Sequence, residues 1–355
     1  MDTGEWYFVS DLHLNGDPGS RDVDGALPRF LANVVGASTS GRRNLVLLGD
    51  TFDLQGPVRQ STAAVAERLM CLADAHAGIL DALATCVRSG IVLHVVGGNH
   101  DIELTRPAAT ALFTTLLGLE VGHPGVRFSP WVVHEPGIFY AEHGNQHHDL
   151  NRMPTVLSVR ERGDGQEELP VPPLGAASRA SPRCSGEGAA AVRLARSLRS
   201  TQRHERMAQT SWYQGLLDRE AAGLGLSNQA LADLAAMSRF GAARALAAIA
   251  RRTVERRVGV ERPGTYLAPR AAAIHRILTR HGLPAAAYVF GHNHRAERLD
   301  LPDAPAAVYL NAGTWCTEVR GRGPDQVDRQ LFPFVRIAAT PGGVDADLLF
   351  WRPFR

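Results

Sequence analysis

The chain has 355 residues, of which 45% are hydrophobic and 21% charged, with a formal net charge of +2; such a composition is typical of globular proteins with one large domain or two. All 38 basic residues are arginine, which excludes mechanisms that need a lysine, such as Schiff-base catalysis and a Walker A phosphate loop. The four cysteines lack metal-site or disulfide spacing, no apolar run could span a membrane, and the acidic start does not resemble a signal peptide, so we expect a cytoplasmic protein.

The first 150 residues alternate predicted strands and helices. Apolar runs at 6–10, 44–48 and 91–96 predict buried strands, and the Ala- and Leu-rich stretch 62–89 predicts a helix before the third strand. This alternation favours βαβ units, in which helices cover a sheet. The segment from Val126 to Gly144 then predicts a β-hairpin that turns at Pro136 and Gly137.

The composition changes after this hairpin. Residues 160–188 are rich in Pro, Gly and Ser and predict a mobile linker. Residues 189–257 are rich in Ala, Leu and Arg and predict two or three helices, with one more near 271–281. Predicted strands resume at 286–294, 307–315, 331–339 and 344–352. We therefore predict a catalytic domain formed by residues 1–154 and 285–355, interrupted by a linker and helical insertion at 155–284.

Charge is unevenly distributed between these two parts. The insertion has 20 Arg against 11 Asp plus Glu, a net charge of +9, so the rest of the chain carries −7. A basic insertion beside an acidic scaffold suggests an anionic substrate or surface near the insertion. The alternative is a solvated arginine face on ordinary helices.

Polar side chains follow five of the predicted strands at the points where these strands end. In chain order they are Asp11 and His13, Asp50 and Asp53, Asn99 and His100, His143, and His292 and His294. Residues two apart on an extended chain point to the same face, and Gly97 and Gly98 let the chain turn sharply before Asn99. Carboxylate, amide and imidazole ligands without sulfur suit divalent manganese, iron or zinc.

Taken together, the motifs DLH, GDTFD, GNHD, EHG and GHNH resemble those of the calcineurin-like metallophosphoesterase superfamily. The resemblance covers Trp6 to about Asn151 and Ala285 to about Trp315. It implies an α/β fold, a four-layer αββα sandwich of two mixed sheets with the site at the strand ends. It also implies a first metal on Asp11, His13 and His294, a second on Asn99, His143 and His292, and a bridging Asp50.

The expected activity is that of a phosphoesterase dependent on two divalent metal ions, manganese above all, with iron or zinc as alternatives. It would hydrolyse a P–O bond of a small anionic metabolite, a phosphomonoester or a nucleotide or sugar phosphate, by attack of a metal-bridging hydroxide. His100, oriented by Asp53, would protonate the leaving oxygen, because imidazole titrates near neutral pH.

Other polar residues receive more modest predictions. Asn15, His147 and His148 are candidate substrate contacts. Asp101 is predicted to cap a helix that begins near Thr105. The turn at 311–315 is expected to be structural.

Several alternatives stay open at this point. The loop at 143–152 and the insertion are similar to the bacterial branch that cleaves the pyrophosphate of UDP-diacylglucosamine, but this chain has His100 where that branch has Arg, and its insertion is longer. The alternatives are therefore a pyrophosphate hydrolase for a nucleotide-linked or lipid-bearing substrate, a phosphodiesterase, or a non-catalytic metal-binding scaffold. The acidic scaffold disfavours a nucleic-acid partner, whereas the basic insertion is compatible with peripheral membrane contact.

Overall fold

The computed structural model describes residues 4–16, 21–38, 41–54, 61–148, 151–153, 160–161, 167–168, 221–237, 266–302, 304–316 and 331–353. The chain forms two compact units. The first contains Met1–Leu54, Thr62–His143 and Ala285–Arg355, and the second contains Gln55–Ser61 and Gly144–Pro284. The insertion predicted at 155–284 shares its C-terminal limit with the second unit, which already includes Gly144.

Thirteen strands lie within the described residues. In chain order they are β1 (Gly4–Val9), β2 (Arg42–Leu48), β3 (Val92–Val96), β4 (Val126–Ser129), β5 (Val132–Glu135), β6 (Phe139–Glu142), β7 (Arg160–Glu161), β8 (Glu167–Glu168), β9 (Ala287–Phe290), β10 (Ala296–Leu301), β11 (Ala304–Ala312), β12 (Phe332–Thr340) and β13 (Gly343–Trp351). The described α-helices are α1 (Arg21–Phe30), α2 (Thr62–Ala75), α3 (Ala77–Arg88), α4 (Pro107–Leu116), α5 (Asn228–Met237) and α6 (Ala268–Arg280).

The first unit contains two mixed sheets. One has the strand order β13-β12-β1-β2-β3-β4, in which β1 to β4 run parallel and the pairs β1–β12 and β12–β13 are antiparallel. The other has the order β10-β11-β9-β6-β5, in which β9 lies parallel to both β6 and β11. Parallel neighbours place their carboxyl ends at the same sheet edge, which is where the candidate ligands follow β1, β2, β3, β6 and β9.

The two sheets pack face to face through one apolar layer. The Phe139 ring of β6 lies 4.7 Å from the Trp6 ring and 5.1 Å from the Phe8 ring of β1, within a buried cluster that draws on both sheets. The opposite face of the first sheet packs against α1 to α4 in a second buried cluster. The predicted α/β fold with two mixed sheets is therefore confirmed.

The predicted hairpin is only half correct, because its first strand divides between the two sheets. Residues before Pro130 form β4 beside β3, whereas β5 pairs with β6 in the other sheet. Proline lacks the N–H that would continue a ladder, and the Ser129 hydroxyl donates to the Val132 carbonyl at 2.6 Å, fixing the corner. Only the pairing of β5 with β6 around Pro136 and Gly137 agrees with the prediction.

The region 62–89 was predicted to form one helix, but it contains two, α2 and α3. They meet at His76 with a bend of 91°. Among the described residues no single helix is long and apolar enough to cross a membrane, and this bent pair reaches that length only in combination. The predicted helix near 271–281 corresponds to α6. Most of the predicted linker at 160–188 and of the helices at 189–257 lies outside the described residues.

A buried histidine in the first sheet predicts a pH-dependent stability. His94 of β3 is buried 5.0 Å from the Trp6 ring, and burial, together with the charges of Arg127 and Arg42, lowers the pKa of His94 to about 3. The unfolded chain, with an ordinary pKa of about 6.5, then takes up the proton first. The stabilisation is complete above pH 6.5 and is lost as the pH falls towards 3, by about 1.4 kcal/mol per pH unit at most.

We expect the His94→Gln variant of the metal-free protein to lose this dependence. Urea unfolding of both proteins between pH 7.5 and 4.5 measures it, and the difference between the two curves removes the contribution of other titrating groups. Parallel curves for the two proteins would contradict the prediction.

Candidate metal centre

Six of the seven predicted metal ligands, all except Asn99, come together in the first unit. Three sets of side chains place their potential ligand atoms within 4.8 Å of one another: Asp11, His13 and His294; His13, Asp50 and His100; and Asp50, His143 and His292. His13 and Asp50 each belong to two sets, so the three sets form one continuous cluster. This is the arrangement that two neighbouring cations with a shared carboxylate would need.

The Asp50 carboxylate lies close to His143 and His13, which belong to the two predicted ligand sets. Its Oδ2 is 3.2 Å from His143 Nε2 and 3.9 Å from His13 Nε2. Its Oδ1 accepts a hydrogen bond from the His100 backbone N–H at 2.7 Å, which links the end of β2 to the end of β3. The bond at Oδ1 thus fixes the orientation of the side chain, while Oδ2 faces the rings of both His143 and His13.

Several potential ligand atoms are buried without a hydrogen bond of normal geometry, as expected of atoms that bind a metal ion. Among the described residues these include Asp11 Oδ1, Asn99 Oδ1 and His143 Nε2. A buried polar atom left without a partner costs about 1–3 kcal/mol. The donor set of carboxylate, amide and imidazole atoms suits divalent cations, and cations bound to the two ligand sets would satisfy these atoms. The residues present therefore fit metal binding.

Contacts at Nδ1 fix the orientation of the His143 and His13 rings. The Nδ1 of His143 donates to the Leu48 carbonyl at 2.8 Å, and His13 Nδ1 lies 2.9 Å from Asp53 Oδ1. A ring that donates through Nδ1 keeps Nε2 unprotonated for a metal. The Nε2 atoms of His13 and His294 face each other at 3.2 Å, and His294 Nε2 is 3.0 Å from Asp11 Oδ1.

The charges within the cluster shift its pKa values strongly. Burial opposes the shift, but the charges of Asp50 and Asp11 raise the pKa of His143 to about 9. Burial also opposes the shifts of Asp11 and Asp50, whose pKa values nearby histidines nevertheless hold below the usual range. The concentrated negative charge that favours protonated histidines would equally attract cations.

His100 and Asp53 form a hydrogen-bonded pair at the edge of this cluster. His100 Nδ1 lies 2.9 Å from Asp53 Oδ1, and the His100 side chain is 36% exposed, so the ring is accessible to a ligand. Burial lowers the pKa of His100, but the charge of Asp50 and the hydrogen bond with Asp53 outweigh it and raise the pKa. Burial likewise opposes the shift of Asp53, whose hydrogen bonds with His100 and His13 keep its pKa low.

The backbone at the ligands is strained. Among the described residues, the non-glycine residues with positive φ are all predicted ligands: Asp11 (53°), His13 (48°), Asp50 (51°), His292 (68°) and His294 (62°). Each left-handed residue of this kind costs about 1–3 kcal/mol, and such residues cluster at functional sites. Sequence analysis did not anticipate this strain, because none of the five residues is a glycine.

Asp101 has a role different from the predicted helix cap. A 3₁₀ turn, Ile102–Thr105, does follow it, but its side chain makes no capping bond there. Instead the buried carboxylate accepts hydrogen bonds from the backbone N–H groups of Gly98, Asp50, Thr51 and Phe52, at 2.8, 3.2, 2.7 and 3.3 Å. Burial, then the charge of Asp50, raises the pKa of Asp101 to about 7. Asp101 thus joins the two loops that carry Asp50 and Asn99.

The turn at 311–315 anchors two further ligand loops. Thr314 Oγ1 donates to the Asp11 carbonyl at 2.7 Å, and Asn311 Nδ2 donates to the Gly291 carbonyl at 2.8 Å. The Asp11 carboxylate itself accepts bonds from Ser10 Oγ at 2.5 Å and from the His292 N–H at 2.9 Å. These bonds support the structural role predicted for the turn and connect β1 of one sheet with β9 of the other.

The three predicted substrate contacts have other surroundings in the protein. Asn15 Nδ2 donates to Asp53 Oδ2 at 3.0 Å. His147 and His148 belong to the second unit, where His147 is buried in the 3₁₀ turn Asn145–His147 and the His148 ring lies 5.8 Å from the Tyr266 ring. Their role as substrate contacts stays a prediction.

Glycine is required where β3 ends, and its replacement gives a testable result. A Cβ at Gly98 would overlap with the carboxylate and the backbone nitrogen of Asp50. We expect Gly98→Ala to lower the unfolding free energy of the metal-free protein by about 1–3 kcal/mol and to weaken metal binding. Gly78→Ala is the matched control, because this glycine lies in α3 with open space around its Cβ position. Urea unfolding and metal titration measure both effects, and equal behaviour of the two variants would contradict the prediction.

No family model matches the chain, and no curated protein matches it. Solved structures that align with it include wild-type Vps29 of Entamoeba histolytica complexed with Zn²⁺, at 10% identity and a TM-score of 0.28, covering 98% of this chain and 98% of that one. Another is the phosphopantetheinyl hydrolase PptH of Mycobacterium tuberculosis, at 13% identity and a TM-score of 0.32, covering 91% and 94%. Similarity at this level gives no information about the activity of this chain.

Proposed function

We propose that this protein is a metal-dependent hydrolase that cleaves a P–O bond of a small phosphorylated metabolite. The observation that carries the proposal is the continuous cluster of Asp and His ligands around Asp50, with the His100–Asp53 pair at its edge. Asp50 Oδ2 lies 3.2 Å from His143 Nε2 and 3.9 Å from His13 Nε2, so it faces a member of each proposed ligand set. The accessible His100 ring, which contacts Asp53, is a candidate proton donor beside these ligands.

The proposed ligands divide into two sets that share one residue. Asp11, His13 and His294 hold one divalent cation, Asn99, His143 and His292 hold the other, and Asp50 bridges them. When bound, such a pair of cations, with manganese favoured and iron or zinc as alternatives, supplies Lewis-acid stabilisation of the phosphoryl group and a nucleophile at neutral pH. A phosphate ester is anionic, so this site also selects for it by charge.

His100 is the proposed general acid. Its ring is accessible, and its Nδ1 contacts Asp53 Oδ1, so the other ring nitrogen can hold the proton that passes to the leaving oxygen. Asp53 fixes the tautomer and favours the protonated ring. Proton donation matters most for a poor leaving group such as an alkoxide, so we propose an alkyl phosphomonoester, or a nucleotide or sugar phosphate, as the substrate class.

The insertion at 155–284 is proposed to act as a specificity lid. Its net charge of +9 opposes the acidic remainder of the chain and suits an anionic substrate. A pyrophosphate-linked nucleotide and a phosphodiester are the alternative substrates, and a non-catalytic metal-binding scaffold is the alternative outside the enzyme class.

The test is hydrolysis by the manganese-loaded full-length protein of four esters: an alkyl phosphate, 4-nitrophenyl phosphate, bis(4-nitrophenyl) phosphate and a nucleoside diphosphate sugar. We expect metal-dependent turnover of the monoesters, which a chelator removes and added manganese restores. Turnover confined to the diphosphate or the diester would select the corresponding alternative. Binding of two metal ions without any turnover would favour the scaffold.

A further inference from the structure

We infer that Asn15, held by the buried ring of His76 and its partner Asp24, is a positioning residue that aligns the Asp53–His100 pair for proton transfer. The three residues come from the loop after β1, the junction of α2 with α3, and α1. The inference rests on the proposed function in so far as it concerns proton transfer, whereas the alignment itself is a property of the protein alone.

The Asp53 carboxylate has different partners at its two oxygens. Its Oδ1 is shared by two rings, with His100 Nδ1 and His13 Nδ1 both at 2.9 Å. Rotation of a carboxylate about its last torsion is only weakly restricted by its own chemistry. The Asn15 Nδ2–H group, 3.0 Å from Oδ2, holds the carboxylate in the orientation that places Oδ1 between the two rings.

Backbone contacts hold Asn15 opposite Asp53. The loops after β1 and β2 pair through backbone bonds, from Leu14 N–H to the Thr51 carbonyl at 2.9 Å and from Asp53 N–H to the Leu14 carbonyl at 3.0 Å. The Asn15 carbonyl in turn faces His76 Nε2 at 2.9 Å. Asn15 is therefore tied on its backbone to the helical layer and on its side chain to the candidate site.

His76 is in turn held by Asp24. Its ring is buried, and its Nδ1 lies 2.5 Å from Asp24 Oδ1. The Asp24 carboxylate and the Asn15 carbonyl contact the two nitrogens of this ring and so fix its orientation. A chain of hydrogen bonds thus runs from Asp24 through His76, Asn15 and Asp53 to His100.

His76, a member of this chain, lies at the break in the predicted helix 62–89. The break places a buried ring, and not a small apolar side chain, under the Asn15 carbonyl.

The test compares Asn15→Ala and His76→Gln with the wild type, with His123→Gln in the turn before β4 as the control. On the manganese-loaded enzymes we expect kcat for an alkyl phosphate to fall about 10- to 100-fold in Asn15→Ala, the range found for outer-shell partners. The KM should stay unchanged, and 4-nitrophenyl phosphate, whose leaving group needs no proton, should be turned over within about threefold of the wild-type rate. His76→Gln should change kcat in the same direction and by less. Equal losses on both esters, or a rise in KM alone, would overturn the inference.

A second measurement does not depend on activity. In the metal-free protein with ¹⁵N-labelled histidine, long-range ¹H–¹⁵N NMR spectra report which ring nitrogen carries the proton. At a pH where the ring is neutral, we expect the Nδ1–H form of His100 in the wild type and the control, and a mixture of tautomers in Asn15→Ala. An unchanged His100 ring in Asn15→Ala would overturn the inference even if the wild type hydrolyses no ester, and a changed ring would support it in the same case.

Discussion

Replacing Asp50 by asparagine is expected to reduce metal-dependent turnover by about a thousandfold or more, because this substitution removes the charge that two cations share. The carboxylate is buried, its Oδ2 lies near His143 and His13, and its Oδ1 accepts the His100 N–H. Asparagine keeps the shape and one oxygen acceptor for the His100 N–H. The loss is therefore expected to come from the missing negative charge and not from an altered fold.

Metal stoichiometry measures this prediction independently of activity. We expect the wild type to bind two divalent ions per chain and Asp50→Asn to bind at most one with comparable affinity, as determined by elemental analysis after dialysis. The matched control is Asp345→Asn on β13, where the side chain is exposed. Two ions bound by Asp50→Asn with wild-type affinity would show that Asp50 does not bridge them.

The sequence was sufficient to predict the position of the candidate site because strand ends are recognisable. Apolar runs that stop at Asp11, Asp50 and Asn99 identify three neighbouring parallel strands, and parallel strands share an edge. The same reasoning places His143 and His292 at the ends of β6 and β9. The alternation of strands and helices was likewise enough to predict an α/β fold, since each element shows its own hydrophobic period.

Other features depend on contacts between residues that are distant in sequence. Asp101 has the position of a helix cap, yet its carboxylate binds the loop around Thr51, and no local pattern distinguishes the two roles. The left-handed backbone at His13 and His294 is imposed by surrounding contacts and carries no glycine signal. Similarly, the division of one predicted strand at Pro130 depends on which sheet each half can join.

The second large effect is expected from His100→Gln, which separates proton donation from metal binding. His100 also lies in one of the potential ligand sets, with His13 and Asp50, so the ring could serve either purpose. Glutamine retains a polar group that can contact Asp53 but cannot transfer a proton at neutral pH. If His100 is the general acid, we expect kcat for an alkyl phosphate to fall about 10²–10⁴-fold while two metal ions remain bound.

The leaving group of the substrate makes this distinction quantitative. A 4-nitrophenolate departs without protonation, so His100→Gln should hydrolyse 4-nitrophenyl phosphate far better, relative to the wild type, than it hydrolyses the alkyl ester. The half-buried ring of His123 offers the matched control, His123→Gln, because this ring lies in the turn before β4 and its described hydrogen bond is with the Gly125 N–H. Loss of one metal ion from His100→Gln, with both esters slowed alike, would instead identify His100 as a ligand and leave the proton donor to be sought among other groups.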